Sequence, residues 1–462
     1  MSDTMRILDP ADGSLVGELD VAGPNEVDQA VATAVKATMS WARTSPAARA
    51  ALVQEVADRV AGQADELARW TTREMGKPLA DARGGVEAGV STLHQYAELG
   101  PLHRGRSLQG DWEAADLMVF EPRGVVAAIT PWNDPVAVPC GLLGAALVTG
   151  NTVVFKPSER TPHTGAALAA IFEDVLPPGV MTTVTGDGTT GAALAGHDGV
   201  DVVAHVGSTA TGRAIAEAAA RTGAKVLLEN GGNDPMIVDD GVDPEWAAEQ
   251  AALGSFANAG QICTSVERIY VTEPVAGAFL AALTRRAEQL VMGPGLDADT
   301  ELGPLVDERM RASVHAHVTA AVDGGATLLA GGVVPEGAGT FYPATVLSGC
   351  TGAMAVMREE TFGPVAPVAV VPDFESALEA ACGGGYGLAA VVLTDRMDHA
   401  QRAWRELPVG TVKVNAAFGG APGGAAQPRG LSGSGFGYGP ELLDEMTTTK
   451  VVHLGTPPSR GA

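Results

Sequence analysis

The chain has 462 residues, 46% hydrophobic and 18% charged, which bounds a globular protein of about three domains at roughly 150 residues each, able to bury a large core. Its 55 acidic residues against 30 basic ones give a net charge of -25, which argues against nucleic acid or an anionic membrane as partner. Four scattered cysteines (Cys140, Cys263, Cys350, Cys382) form neither a disulfide framework nor a metal pattern, so no metal is expected and a reducing compartment is the default.

The N-terminus, Met1-Ser2-Asp3-Thr4-Met5-Arg6, has no apolar leader and no basic amphipathic presequence. The most apolar stretch, 124–155, is broken by Pro131, Asn133, Asp134, Pro135 and Pro139, so no run reaches the roughly 18 residues that span a bilayer. A cytoplasmic protein is expected.

Residues 25–100 read as helices: Leu52, Val56 and Val60 recur at helical spacing, Leu67 follows, and Gly76-Lys77-Pro78 stops one helix. From residue 124, short β-branched runs (125–129, 152–155, 181–184, 202–206, 225–228) alternate with Ala-rich stretches. This is the rhythm of a parallel sheet covered by helices. After Gly231-Gly232 a second α/β unit is expected, with strands at 268–271, 365–371, 388–394 and 411–415. Residues 417–439, glycine-rich with Pro422 and Pro428, read as a long loop, and 449–454 as a further strand.

Several strings carry chemistry. Pro131-Trp132-Asn133-Asp134-Pro135 holds a rigid amide that suits a developing oxyanion, or is a simple turn. Lys156-Pro157-Ser158-Glu159 ends a strand at the sheet edge where cofactors bind; Lys156 and Glu159 suit ribose hydroxyls, or the string is a surface turn. Gly186-Asp187-Gly188-Thr189-Thr190-Gly191 matches a dinucleotide fingerprint but lacks the acidic residue about 20 positions on, so the match is weak. Gly207-Ser208-Thr209-Ala210-Thr211-Gly212-Arg213 precedes a helix expected at 214–221 and suits a phosphate or a helix cap. Glu229, before Gly231-Gly232, and Cys263, in Gly260-Gln261-Ile262-Cys263-Thr264-Ser265, pair a general base with a nucleophile. The bland alternatives are a strand end and a small buried hydrophobe.

In this order, with Glu74-Met75-Gly76-Lys77-Pro78, Glu359-Glu360-Thr361-Phe362-Gly363-Pro364, Tyr386-Gly387-Leu388 and Ser432-Gly433-Ser434-Gly435, these strings resemble the aldehyde dehydrogenase superfamily over nearly the whole chain. The resemblance implies an α/β fold. A Rossmann-like cofactor domain would comprise 1–108 and 125–231, an α/β catalytic domain 232–439, and a small β oligomerisation element 109–124 and 440–462. It implies NAD(P)-dependent oxidation of an aldehyde to the acid. Cys263 would form a thiohemiacetal and then a thioester, Asn133 and the Cys263 N–H would hold the oxyanion, and Glu229 would activate water. Cofactor contacts would come from Ile129, Thr130, Pro131, Trp132, Lys156, Ser158, Glu159, Gly186, Gly207, Ser208, Gly212, Glu229, Glu360 and Phe362. Of these, Ser208 would lie near the pyrophosphate, Glu360 on the nicotinamide ribose, Phe362 beside the nicotinamide, and Gly186 in a packing role near the adenosine. Glu159 favours NAD over NADP, since a carboxylate repels a 2′-phosphate. The family also implies a homodimer or homotetramer.

The chain departs from the family pattern at Asn230 and Asn233, both near the base, and at Phe436-Gly437, where a second glutamate is absent. Gly141 and Ala257 stand where succinate-semialdehyde enzymes carry carboxylate-binding arginines. Asp134 replaces an aromatic of the substrate tunnel: it is either a turn residue bonding its own backbone or a receptor for a cationic or hydroxylated aldehyde. The rival readings are a CoA-acylating enzyme, which typically lacks the base, and a catalytically silent structural relative.

Overall fold

The computed structural model describes residues 4–420 and 424–457. The readings at residues 1–3, at Pro422 and at 458–462 of the C-terminal segment lie outside the described residues.

The first of two large sheets has six strands in the order Gly433–Ser434, Lys225–Glu229, Val202–Val206, Val125–Ile129, Thr152–Lys156, Met181–Thr183. The last five run parallel. Their side chains alternate between two cores. Val126, Ala128, Val153, Phe155, Val202 and Ala204 pack with the helices Pro46–Gly62, Leu79–Leu99, Ala137–Val148 and Pro162–Val175. Val125, Ala127, Ile129, Val154 and Val203 face the helices Pro24–Arg43 and Thr209–Thr222 instead. Both faces are covered, which is why these strands read as unbroken apolar runs. Each fully buried Val or Phe contributes about 1.5–3 kcal/mol.

The second sheet has seven strands: Thr327–Ala330, Thr345–Ser348, Val365–Val371, Val266–Thr272, Asp234–Val238, Ala389–Leu393 and Thr411–Val414. All neighbours are parallel except the edge strand Thr327–Ala330. A third, three-stranded ribbon joins Arg106–Leu108, Ala115–Pro122 and Thr447–Leu454, the last two paired antiparallel from Thr447↔Pro122 to Leu454↔Ala115. The α/β fold expected from the sequence is the fold observed.

Two local expectations need correction. The helix expected at 214–221 spans Thr209–Thr222, because the Ser208 hydroxyl accepts the Thr211 N–H and caps it five residues earlier. The loop at 417–439 is not wholly irregular: a short turn of helix at Gly430–Ser432 leads into Gly433–Ser434, which pairs with Leu228 and Glu229. The chain thus returns from the second sheet to cap the edge of the first. Gly76 ends the helix Ala64–Met75 in the left-handed conformation (φ 87°), as its sequence suggests. Among the described residues no helix is long and apolar enough to cross a membrane.

Candidate active site

The loop before Cys263 is strained. Asn258, Ala259 and Gly260 are successively left-handed, with φ of 50°, 54° and 71°. Two of them are not glycine, a conformation that costs of order 1–3 kcal/mol each and survives only when the surroundings enforce it. Here they do. Asn258 Nδ2 donates to Gln261 O (3.1 Å), Gln261 Nε2 returns a bond to Asn258 O (3.1 Å), and Val306 N donates to Gln261 Oε1 (2.9 Å). A side chain on Gly260 would overlap Gly363 O. Cys263 is half-buried at the end of this loop. Burial, then the charges of Glu229, Asp234, Glu360 and Asp134, push its thiol up to about 12.

Glu229 ends the strand Lys225–Glu229, held on one side by Gly433 and through its carbonyl by Gly207 N (2.9 Å). Burial raises its carboxyl to about 7, opposed by the N–H of Gly437, which faces it. That value suits a general base at neutral pH. The side-chain amides of Asn230 and Asn233 find other partners. Asn230 Nδ2 donates to Leu431 O (3.2 Å), and Asn233 Nδ2 donates to Glu359 O (3.2 Å) and Glu267 (3.4 Å).

Asn133 Nδ2 donates to Gln261 O (3.1 Å), two residues before the nucleophile. This brings the Pro131–Asn133 string and the Cys263 loop together, and among the described residues the second amide hydrogen has no partner. The next residue corrects one expectation. Among the described residues the Asp134 carboxylate accepts no bond from its own backbone; its Oδ1 lies 3.6 Å from Lys77 Nζ.

Most of the remaining expected residues lie at the carboxyl edge of the six-stranded sheet; Glu360 and Phe362 come from the turn before Val365–Val371 and reach it through Gly232 and Trp132. Ile129 ends the strand Val125–Ile129 and Thr130 follows it; the buried Thr130 hydroxyl has no partner among the described residues. Lys156, buried and lowered in pKa by that burial, donates to Pro157 O (3.2 Å) and lies 3.7 Å from the half-exposed Glu159. Ser158 Oγ accepts from Arg160 N (3.3 Å). Gly186 packs against Thr190, Gly212 against Asn230, and Gly207 precedes the capped helix that starts after Ser208. Glu360 accepts from Gly232 N (3.0 Å), and its carboxyl is raised by burial and then by Glu267. Phe362 is left-handed (φ 52°) and meets Trp132 edge-on at 5.5 Å. A hydroxyl without a partner, a half-exposed carboxylate beside a buried lysine and a helix N-terminus along one parallel edge fit a dinucleotide.

Three participants escape sequence reasoning. Glu267, buried in the strand Val266–Thr272, accepts from the N–H groups of Thr361 and Phe362 (both 2.8 Å), pinning the Glu360–Phe362 turn to the strand that follows Cys263. An acid next to Arg268 at the start of a strand that is otherwise mostly apolar was the available signal. Lys77 enters through Asp134. Tyr438 lies against Gly141, where an added Cβ would sit 3.3 Å from its Cε1. Tyr438 is 38% exposed, and the charges of Glu229, Cys263 and Asp134 act on its hydroxyl, which places it near the site's ionisable groups.

The model of the Aldehyde dehydrogenase family matches residues 1–452. The chain is 38% identical to a 3,6-anhydro-alpha-L-galactose dehydrogenase of Streptomyces coelicolor, over 98% of this chain and 93% of the relative. It is 35% identical to an NADP(+) succinate-semialdehyde dehydrogenase of Escherichia coli, over 98% and 95%. Among solved structures, a 3,6-anhydro-L-galactose dehydrogenase in complex with NAP superposes with TM-score 0.95 at 33% identity, covering 98% of this chain and 96% of that one. A betaine aldehyde dehydrogenase from Staphylococcus aureus with NAD+ gives 0.96 at 31%, covering 99% and 92%.

Proposed function

The chain belongs to the aldehyde dehydrogenase family and is an NAD(P)-dependent oxidoreductase of aldehydes, and we propose that Cys263, Asn133 and Glu229 carry its reaction. Cys263 gives its thiol proton to water as its Sγ adds to the carbonyl carbon to form an anionic thiohemiacetal. The second Asn133 amide hydrogen and the Cys263 N–H stabilise the oxyanion. A bound nicotinamide supplies the hydride acceptor. Glu229 then takes a proton from water, which hydrolyses the Cys263 thioester to the acid and frees the thiol. The observation that supports this assignment most is the Asn133–Gln261 bond, which holds the oxyanion donor against the nucleophile loop.

Thr130, Lys156, Glu159, the helix start at Ser208, Glu360 and Phe362 would hold the cofactor, on the six-stranded sheet with the helical N-terminal region (1–108 and 125–231). The unit 232–439 would supply the nucleophile. The ribbon, with Thr447–Leu454 as an open edge strand, supports a homo-oligomer in which that edge is paired. Four unpaired cysteines support a cytoplasmic setting. The single most direct test is a burst measurement. Cys263→Ala should abolish NADH formation, whereas Glu229→Gln should keep a stoichiometric burst and lose turnover. Unchanged turnover in Glu229→Gln would remove the base assignment, and CoA-dependent turnover would turn the reading to acylation.

A further inference from the structure

Lys77 is unusual among the buried groups of this chain. Its side chain is only 8% exposed, yet among the described residues its ammonium makes no hydrogen bond and one ion pair, to Asp134 Oδ1 at 3.6 Å. Asp134 likewise accepts no side-chain hydrogen bond there. The Asp81 carboxyl also feels the Lys77 charge, though partial desolvation raises it more than the lysine lowers it. The pair therefore presents three donors and two acceptor oxygens whose hydrogen-bonding capacity is largely unused.

Its location gives the pair a role. Asp134 follows Asn133 directly, and its charge acts on both Cys263 and Tyr438. Lys77 stands at the turn before the helix Leu79–Leu99, where Gly85 approaches so closely that its Cβ would lie 2.8 Å from Asp134 Oδ1. The turn is fixed from behind, since Leu79 N donates to Gly295 O (2.8 Å). Donor and acceptor are thus held by backbone contacts beside Asn133, which bonds the nucleophile loop at Gln261.

Charge decides among substrate classes. A cationic aldehyde would have to displace Lys77 from Asp134, and a carboxylated one would have to displace Asp134 from Lys77. No guanidinium is available at Gly141, where Tyr438 fills the space, or at Ala257. A neutral hydroxylated chain needs neither displacement: one hydroxyl accepts from Lys77 while it, or its neighbour, donates to Asp134.

We propose that the Lys77–Asp134 pair is a hydroxyl-recognition subsite and that the enzyme prefers neutral, polyhydroxylated aldehydes of the sugar class. This deepens the aldehyde-oxidation reading and rests on it. The test measures NADH formation by the full-length enzyme with glyceraldehyde, propanal, succinate semialdehyde and betaine aldehyde. Glyceraldehyde should exceed propanal in kcat/KM by about ten- to a hundredfold, the worth of one or two charge-assisted hydrogen bonds. It should also exceed both charged aldehydes. Asp134→Asn and Lys77→Met should each drive the glyceraldehyde-to-propanal ratio toward one. If Lys77→Met does not fold, the isosteric Asp134→Asn still reads the ratio. A parental ratio near one, a ratio unmoved in Asp134→Asn, or a charged aldehyde as best substrate would overturn the subsite while leaving aldehyde oxidation intact. NADH from none of the four would remove the underlying reading as well.

Discussion

The N–H of Gly437 faces the carboxylate of Glu229, and the glycine stands so close that any side chain at 437 would overlap Glu229 Oε1. The glycine that replaces a second carboxylate is therefore part of how the base is held. Gly437→Ala should force the Glu229 carboxylate out of its place while leaving Cys263 acylation possible. The expected result is a retained NADH burst with steady-state turnover reduced about tenfold or more. Glu229→Gln should lose about 10²–10³, the usual worth of a positioned base. Stopped-flow measurement of burst amplitude against steady-state rate separates the two steps.

The same pair sets a pH dependence. Glu229 must be ionised to take a proton from water, and its carboxyl is raised by burial to about 7. Hydrolytic turnover should fall about tenfold per unit as pH drops below that value and level off above it. The Gly437 N–H lowers this pKa, so displacing the carboxylate in Gly437→Ala should shift the limb to higher pH. Glu229→Gln should lack the limb. A limb that persists unchanged in Glu229→Gln would assign it to another group.

Asn133 already spends one amide hydrogen on Gln261 O, so only the second can reach an oxyanion. Asn133→Ala should cost about 10²–10³ in kcat, as for other oxyanion donors. Asn133→Asp should be worse, because it sets a carboxylate against both the Gln261 carbonyl and the developing negative charge. Equal activity of the two variants would mean that Asn133 acts only by fixing the loop.

Much of this arrangement is legible in the sequence, for a physical reason. Strands covered on both faces must be apolar at every position, so 125–129 and 202–206 announce themselves. Cys263, Glu229 and Asn133 sit in short strings whose glycines and prolines mark the turns that aim them. What escapes is tertiary. Lys77 reads as part of a helix stop until Asp134 is seen beside it. Tyr438 comes from the loop after Gly433–Ser434, the edge strand paired with Leu228 and Glu229, and meets Gly141 at a separation no periodicity encodes. The helix at Thr209 starts earlier than its Ala-rich body suggests, because one Ser hydroxyl, not a pattern, fixes its first turn.

Glu267 ties the strand after the nucleophile to the turn carrying Glu360 and Phe362, through two 2.8 Å bonds from Thr361 and Phe362 N–H. Glu267→Ala would leave both donors unpaired in a buried place and release the left-handed Phe362. KM for NAD should rise about tenfold, while alkylation of Cys263 by iodoacetamide without cofactor should change little. Glu267→Gln keeps one acceptor oxygen and should recover part of the loss. A uniform fall in kcat with KM unchanged would instead mark a general loss of folded enzyme.

Glu159 tests cofactor choice. Its carboxylate is half-exposed at the sheet edge, and Lys156 lies 3.7 Å away, buried and lowered in pKa by that burial. In this pair the carboxylate suits the free 2′-hydroxyl of NAD and opposes a 2′-phosphate. Glu159→Ser removes the repulsion and leaves Lys156 as an uncompensated cation facing the ribose. The ratio of kcat/KM for NADP to that for NAD should rise by about tenfold or more, with the gain shrinking as salt screens the exposed charges. Lys156→Met should act in the opposite sense and hurt NADP more than NAD, since only the lysine attracts the phosphate. If the ratio stays fixed in both variants, the adenosine ribose is read elsewhere on this edge.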